Sequence, residues 1–203
     1  MILRGLVDFN ISSGLDPSTL FINECGGGPA ASLFRIPDGS IVILQRGSIK
    51  KRMRVIKGDA SECDFHFAEL NPNTARLFRV KAEERFLLVF NGRTRVMKMI
   101  RVPVTRDTAL FVLDRNRLHE NAITLGGPFI DDLGIFSTRK TIIVIRGGVC
   151  KRFRILKSRV ETPDLFFQLT AANASRFGLN NGKKYRLAYN QITNRLVIGM
   201  QVT

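Results

Sequence analysis

The side chains best suited to do chemistry in this chain are its repeated cations. Arg46, Lys50, Lys51, Arg52 and Arg54 lie in the stretch QRGSIKKRMRVIK, and Arg146, Lys151, Arg152 and Arg154 lie in the stretch IRGGVCKRFRILK. A guanidinium presents a planar fork of donors that matches phosphate oxygens or the O6/N7 edge of guanine, and an ammonium adds a point charge. This is the chemistry of anion recognition rather than of bond making. Alternate residues of a strand share a face. Arg52 and Arg54 therefore stand opposite Met53 and Val55, and Arg152 and Arg154 stand opposite Phe153 and Ile155. The apolar members belong to a core. An unpaired guanidinium is costly to bury, which leaves the four arginines for solvent or a ligand. Arg46 and Arg146 fall at hairpin tips, within reach of a groove or a phosphate. Arg93 and Arg95, with Lys98, extend the set on a later hairpin, and Lys183 and Lys184 do so in the second copy. The competing reading is that Lys and Arg are merely the polar set of a half-exposed sheet, blunting edges against aggregation. Against it, neither stretch contains a carboxylate to neutralise the charge.

The elements that must position these cations come from an internal duplication, the first thing to seek in any chain. At an offset of one hundred residues Ile43, Arg46, Gly47, Lys51, Arg52, Arg54 and Lys57 meet Ile143, Arg146, Gly147, Lys151, Arg152, Arg154 and Lys157. Downstream, FAELNPNTARLFRVKAEERFLLVFN faces FFQLTAANASRFGLNNGKKYRLAYN; upstream, CGGGPAASLFRI faces LGGPFIDDLGIF. The halves are 1–103 and 104–203, with no Pro/Gly/Ser linker at the seam, so two closely packed halves are expected. In the first half SIVILQRG and KKRMRVIK read as strands joined at Arg46-Gly47-Ser48, and DFHFAEL reads as a third. NPNTARLF reads as a short helix with Asn71 as N-cap and Pro72 in the first turn. RFLLVFNGRTRVMKMIRV reads as a hairpin turning at Asn91-Gly92, and YRLAYNQITNRLVIGMQV as its counterpart with a longer turn. The fold class is mainly β: two tandem, internally duplicated small β-barrel-like halves, each with one short helix.

The helix-then-hairpin segments LNPNTARLFRVKAEERFLLVFNGRTRVMKM and LTAANASRFGLNNGKKYRLAYNQITNRLVIG resemble an element of the AbrB-like and double-psi cradle-loop β-barrels. The second copy resembles it better, because Gly178 and Gly182 stand where those families tend to place glycine. The first copy has Arg79 and Glu83 or Glu84 there. The second copy also resembles a β-barrel that precedes ATP-grasp modules in some spore-forming bacteria. The resemblance implies a barrel. AbrB-like members bind DNA and double-psi barrels have many functions, so a fold of this kind leaves function to be argued from its surface.

Composition narrows the partner. Thirty-two basic residues against 17 acidic give a net charge of +15 in 203 residues, which attracts polyanions. No apolar run reaches the length of a membrane span, and the opening MILRGLVDFNISSG lacks the apolar core of a secretion signal. Cys25, Cys63 and Cys150 do not follow the repeat, which argues against a disulfide framework and for the cytoplasm. Cys63 and His66 lack the further ligands of a zinc site. CGGGP and LGGPF are not phosphate-binding signatures and read as tight turns. His66 with Glu69 and His119 lack a nucleophile, and Glu83-Glu84 and Asp131-Asp132 read as exposed pairs without a metal-ligand pattern. Absence of Trp and core-like placement of Phe speak for backbone contact with a duplex over base stacking. The expected function is a non-enzymatic, cytoplasmic nucleic-acid-binding protein without cofactor or metal. DNA is favoured over RNA, no membrane is involved, and homo-oligomerisation is left open. The alternative is a protein-interaction or assembly module, such as a sporulation or phage structural component, meeting acidic partners. A barrel enzyme with a site between the halves ranks third.

Overall fold

The computed structural model describes residues 1–23, 30–58, 67–114, 119–135, 141–158 and 165–202. Two compact units divide it, Met1–Val102 and Pro103–Thr203. The first contains β1 (Ile2–Ile11), β2 (Thr19–Asn23), a 3-10 turn (Ala31–Arg35), β3 (Ile41–Arg46), β4 (Ile49–Lys57), β5 (Phe67–Leu70), α1 (Pro72–Leu77), β6 (Glu84–Asn91) and β7 (Val96–Arg101). The second contains β8 (Val104–Leu113), β9 (Ala122–Leu125), α2 (Gly127–Leu133), β10 (Thr141–Arg146), β11 (Val149–Lys157), β12 (Phe166–Leu169), α3 (Ala171–Arg176), β13 (Lys184–Asn190) and β14 (Arg195–Val202). Each unit is a closed seven-stranded barrel, in the order β1-β5-β2-β4-β3-β7-β6 and β8-β12-β9-β11-β10-β14-β13. Strand for strand these are the same topology, parallel at β1/β5, β2/β4 and β3/β7 and at their counterparts.

Period-two alternation decides which side of each strand is buried. Met53 and Val55 of β4 and Phe153 of β11 are wholly buried, while Arg52, Arg54, Arg152 and Arg154 between them are exposed. The first barrel is filled by Val7, Phe9, Leu44, Phe86 and Met97, with Phe9 and Phe86 edge to face at 5.4 Å. The second is filled by Phe111, Val144, Phe167, Tyr185 and Leu196. Closure leaves no sheet edge for another chain to extend.

Local chemistry explains the connections. Asn71 Oδ1 accepts from Asn73 N at 2.9 Å and Pro72 opens α1, as its sequence implies. The β10–β11 turn uses Gly147-Gly148, with φ of 53° and 82°, the double positive φ of a type I′ hairpin. The β6–β7 connection departs from expectation. Asn91 pairs with Val96, so four residues intervene, and Asn91 Oδ1 accepts from the amides of Arg93 and Thr94. Arg95 takes the positive φ of 54°, and its carbonyl accepts from Ile43 N at 2.8 Å. The second copy has the same four-residue loop rather than a longer one. Asn190 plays the part of Asn91, and Asn194 (φ 55°) plays that of Arg95. The asparagine side chain makes the turn, so Asn-Gly is not its centre.

After α1 and after α3 two positions are left-handed: Arg79 and Glu83 (φ 53° and 62°) in the first unit, Gly178 and Gly182 (φ 59° and 75°) in the second. The conformation is fixed by the barrel, since Glu83 N donates to Phe9 O and Gly182 N donates to Phe111 O. An L-residue there costs about 1–2 kcal/mol, so the first copy carries strain that glycine relieves in the second. Two expectations are corrected. LGGPF does not make a tight turn: Gly126 caps α2, which buries Phe129, Ile130 and Leu133 at helical spacing. The described residues of the second half therefore form two short helices, α2 and α3. Glu83-Glu84 is not an exposed pair, because Glu84 is buried and bonded to Arg101. CGGGP, Cys25, Cys63, His66 and the start of DFHFAEL lie outside the described residues.

The 3-10 turn docks on β1 at Gly5. Ser32 Oγ accepts from Arg4 N at 2.9 Å and donates to Arg4 O. A Cβ on Gly5 would lie 2.5 Å from Leu33 Cδ1 and 3.0 Å from Ala30 Cα. Gly5→Ala is expected to destabilise by about 1–3 kcal/mol through overpacking. Urea unfolding should show a lower midpoint at unchanged m; an unchanged midpoint would mean that the turn is not held against β1.

Candidate nucleic-acid interface

Cross-strand register assembles the outward cations. On the first barrel one row runs Lys50, Gln45, Lys98, Val89, Arg4 across β4, β3, β7, β6 and β1. The next row runs Arg52, Ile43, Val96, Asn91, Ile2, and Arg54 continues the face beside Ile41. On the second barrel the equivalent rows run Cys150, Ile145, Val197, Ala188, Arg106 and Arg152, Ile143, Arg195, Asn190, Val104, with Arg154 beside Thr141. None of these rows contains a carboxylate. Lys50, Arg52, Arg54, Lys98, Arg4, Arg106, Arg152, Arg154, Arg186 and Arg195 are all exposed. Arg93 and Arg95 are exposed on the β6–β7 loop. Arg4 and Arg106 occupy equivalent places and, with Arg186 and Arg195, join the face without having been singled out in the sequence. Only the pairing of β1 with β6 and of β8 with β13 could have revealed them.

Four of the sequence-derived cations have a different position. Arg46 does not reach outward from a hairpin tip. Its guanidinium folds over the barrel, donating to Phe78 O at 2.5 Å and Arg79 O at 2.8 Å and lying 5.0 Å from the Phe86 ring centroid. Burial lowers its pKa from the ordinary arginine value, and Glu84 opposes that shift. Arg146 repeats the arrangement against Gly199 O and Gly178 O, 4.7 Å from the Tyr185 centroid. Lys51 Nζ donates to Pro17 O at 2.7 Å and Thr74 Oγ1 at 2.8 Å; Lys151 Nζ donates to Glu120 O and Asn173 Oδ1, both at 2.9 Å. These four bind the barrel to its own carbonyls. Their identity across the repeat follows from packing, whereas Arg52, Arg54, Arg152 and Arg154 are exposed on the outer faces of β4 and β11.

Beside Arg54 the strand β4 borders a shallow cleft of about 640 Å³ lined by Asp16, Ser18, Thr19, Ile41, Arg52, Met53 and Arg54. Asp16 Oδ1 accepts from Ser18 N at 2.7 Å and from Ser18 Oγ. These bonds hold its carboxyl below the ordinary range; Lys51 and Arg54 add to the effect, and desolvation opposes it. Among the described residues no group of three or more His, Cys, Asp or Glu could hold a metal ion. None of their helices is long and apolar enough to cross a membrane. His119 Nδ1 accepts from Asn121 N at 3.2 Å and is tied into a turn. Asp131 and Asp132 are exposed on α2. Comparison with protein-family models gives no match, and neither does comparison with curated proteins.

Proposed function

We propose that this chain is a non-enzymatic nucleic-acid-binding protein that acts in the cytoplasm and contacts the phosphate backbone, of duplex DNA before RNA, with two basic β faces. The observation that carries the reading is the pair of carboxylate-free outward rows, which place arginine at matching positions of two barrels. Exposed guanidiniums in outward rows that hold no carboxylate suit phosphates. Two such modules on one chain raise the effective concentration of the second contact once the first is made. The parallel strand pairs of each barrel support reading it as a cradle-loop barrel of the AbrB-like or double-psi kind.

A salt series of anisotropy titrations with duplex DNA, single-stranded DNA and duplex RNA tests this. With six phosphate contacts, log K for duplex DNA should fall against log salt with a slope of about −5. Absence of binding at low salt would transfer the charge to an acidic protein partner and to the assembly reading.

A further inference from the structure

The two basic faces differ where their equivalent turns meet them. In the first barrel Thr19 N donates to Asp16 O, Arg54 N donates to Ser18 O and Lys51 Nζ donates to Pro17 O. In the second, Ala122 N donates to His119 O, Arg154 N donates to Asn121 O and Lys151 Nζ donates to Glu120 O. Bond for bond, Asp16 corresponds to His119. A carboxylate therefore stands beside Arg54 where an imidazole stands on the second barrel, whose turn carries its own carboxylate, Glu120, one residue further on at the place of Pro17.

For a surface that meets only phosphate, the Asp16 carboxylate is a liability, since it repels the ligand. It is nevertheless fixed at the cleft by both Ser18 bonds, which occupy Oδ1 and leave Oδ2 as an acceptor. A base edge differs from a phosphate in offering donors as well as acceptors. Arginine donates to guanine O6 and N7, and aspartate accepts from the cytosine N4 amino group. We propose that the cleft of the first barrel reads a G·C pair, with Arg54 donating to guanine and Asp16 accepting from cytosine, while the second barrel contacts backbone alone. Thr19 pairs with Arg54 across β2 and β4 and lines the same cleft as Asp16. The inference rests on the nucleic-acid reading above and adds to it a base preference located in one barrel.

The test uses the full chain and Asp16→Asn with two duplexes of equal length, one all A·T and one containing G·C pairs, each titrated at low and at physiological salt. Asparagine keeps the oxygen that accepts from Ser18 N and turns the outward acceptor into a donor. The parent should bind the G·C duplex about a hundredfold more tightly, about tenfold for each of the two side-chain pairings with a base. Asp16→Asn removes the cytosine contact and leaves the guanine one, so it should cut the preference about tenfold while A·T affinity holds or rises. Equal parental affinity for both duplexes overturns the proposal. So does a variant that binds both more tightly by the same factor, which would make Asp16 a mere repulsive charge. Salt-insensitive or absent binding to either duplex by the parent defeats the nucleic-acid reading itself, and the base preference with it.

Discussion

Reversing Arg52, Arg54, Arg152 and Arg154 to glutamate should abolish binding to duplex DNA while leaving thermal stability nearly unchanged. All four side chains are exposed, on the face opposite Met53 and Val55 and opposite Phe153 and Ile155. Each reversal removes a phosphate partner and adds a repulsion. Every lost contact also lowers the salt slope by about 0.9. Four reversals of two charges each take the net charge from +15 to +7, so affinity near physiological salt should fall by more than about a thousandfold. Exposed substitutions away from packed features change stability by about 0.5 kcal/mol or less, and fewer like charges relieve repulsion in the folded state. Anisotropy titration and a circular-dichroism melt on the same preparation give both readouts. Intact binding would remove these arginines from the interface, and a collapse of the melting temperature would make them structural.

The largest stability effect should come from Asp8. Its carboxylate takes Arg85 Nε at 2.8 Å and a second guanidinium nitrogen at 2.7 Å, and both residues are buried between β1 and β6. Removing one member of a buried pair strands the other charge at a cost of about 3–5 kcal/mol, whereas replacing both with apolar groups is often neutral. Asp8→Ala should lose that amount in urea unfolding, and Asp8→Leu combined with Arg85→Met should recover most of it. The second barrel has Leu110 opposite Lys184 at the equivalent register, so the architecture does not require the pair. A loss under about 1 kcal/mol in Asp8→Ala would show that Arg85 is held by its other neighbours.

The duplication and the inward and outward faces of β4 and β11 were legible because alternation is a local property. The helix cap at Asn71 was legible for the same reason. What the sequence hid depends on distance along the chain. Asp8 and Arg85 are 77 residues apart, and no periodicity links them. Arg46 and Lys51 alternate like surface cations, yet both are drawn back to carbonyls of segments far away in sequence. Arg4 and Arg106 look like isolated charges until β1 and β8 are paired with β6 and β13. Gly126-Gly127 read as a turn because the apolar spacing of Phe129, Ile130 and Leu133 is too short a stripe to stand out from strand-rich surroundings.

Closure of the first barrel joins Ile2 to Asn91, and closure of the second joins Val104 to Asn190. Such pairings reward the chain only after a long loop has been closed, so each barrel belongs among the slow folders, in the millisecond-to-second range. At ribosomal speeds of about 5–20 residues per second, β1 waits for seconds before its antiparallel partner β6 exists. The local β3–β4 hairpin can form in that interval, but Leu3, Val7 and Phe9 cannot yet be covered from the β6 side. During that interval the apolar face of β1 stays open to solvent, and the first barrel can be complete while the second is still being made.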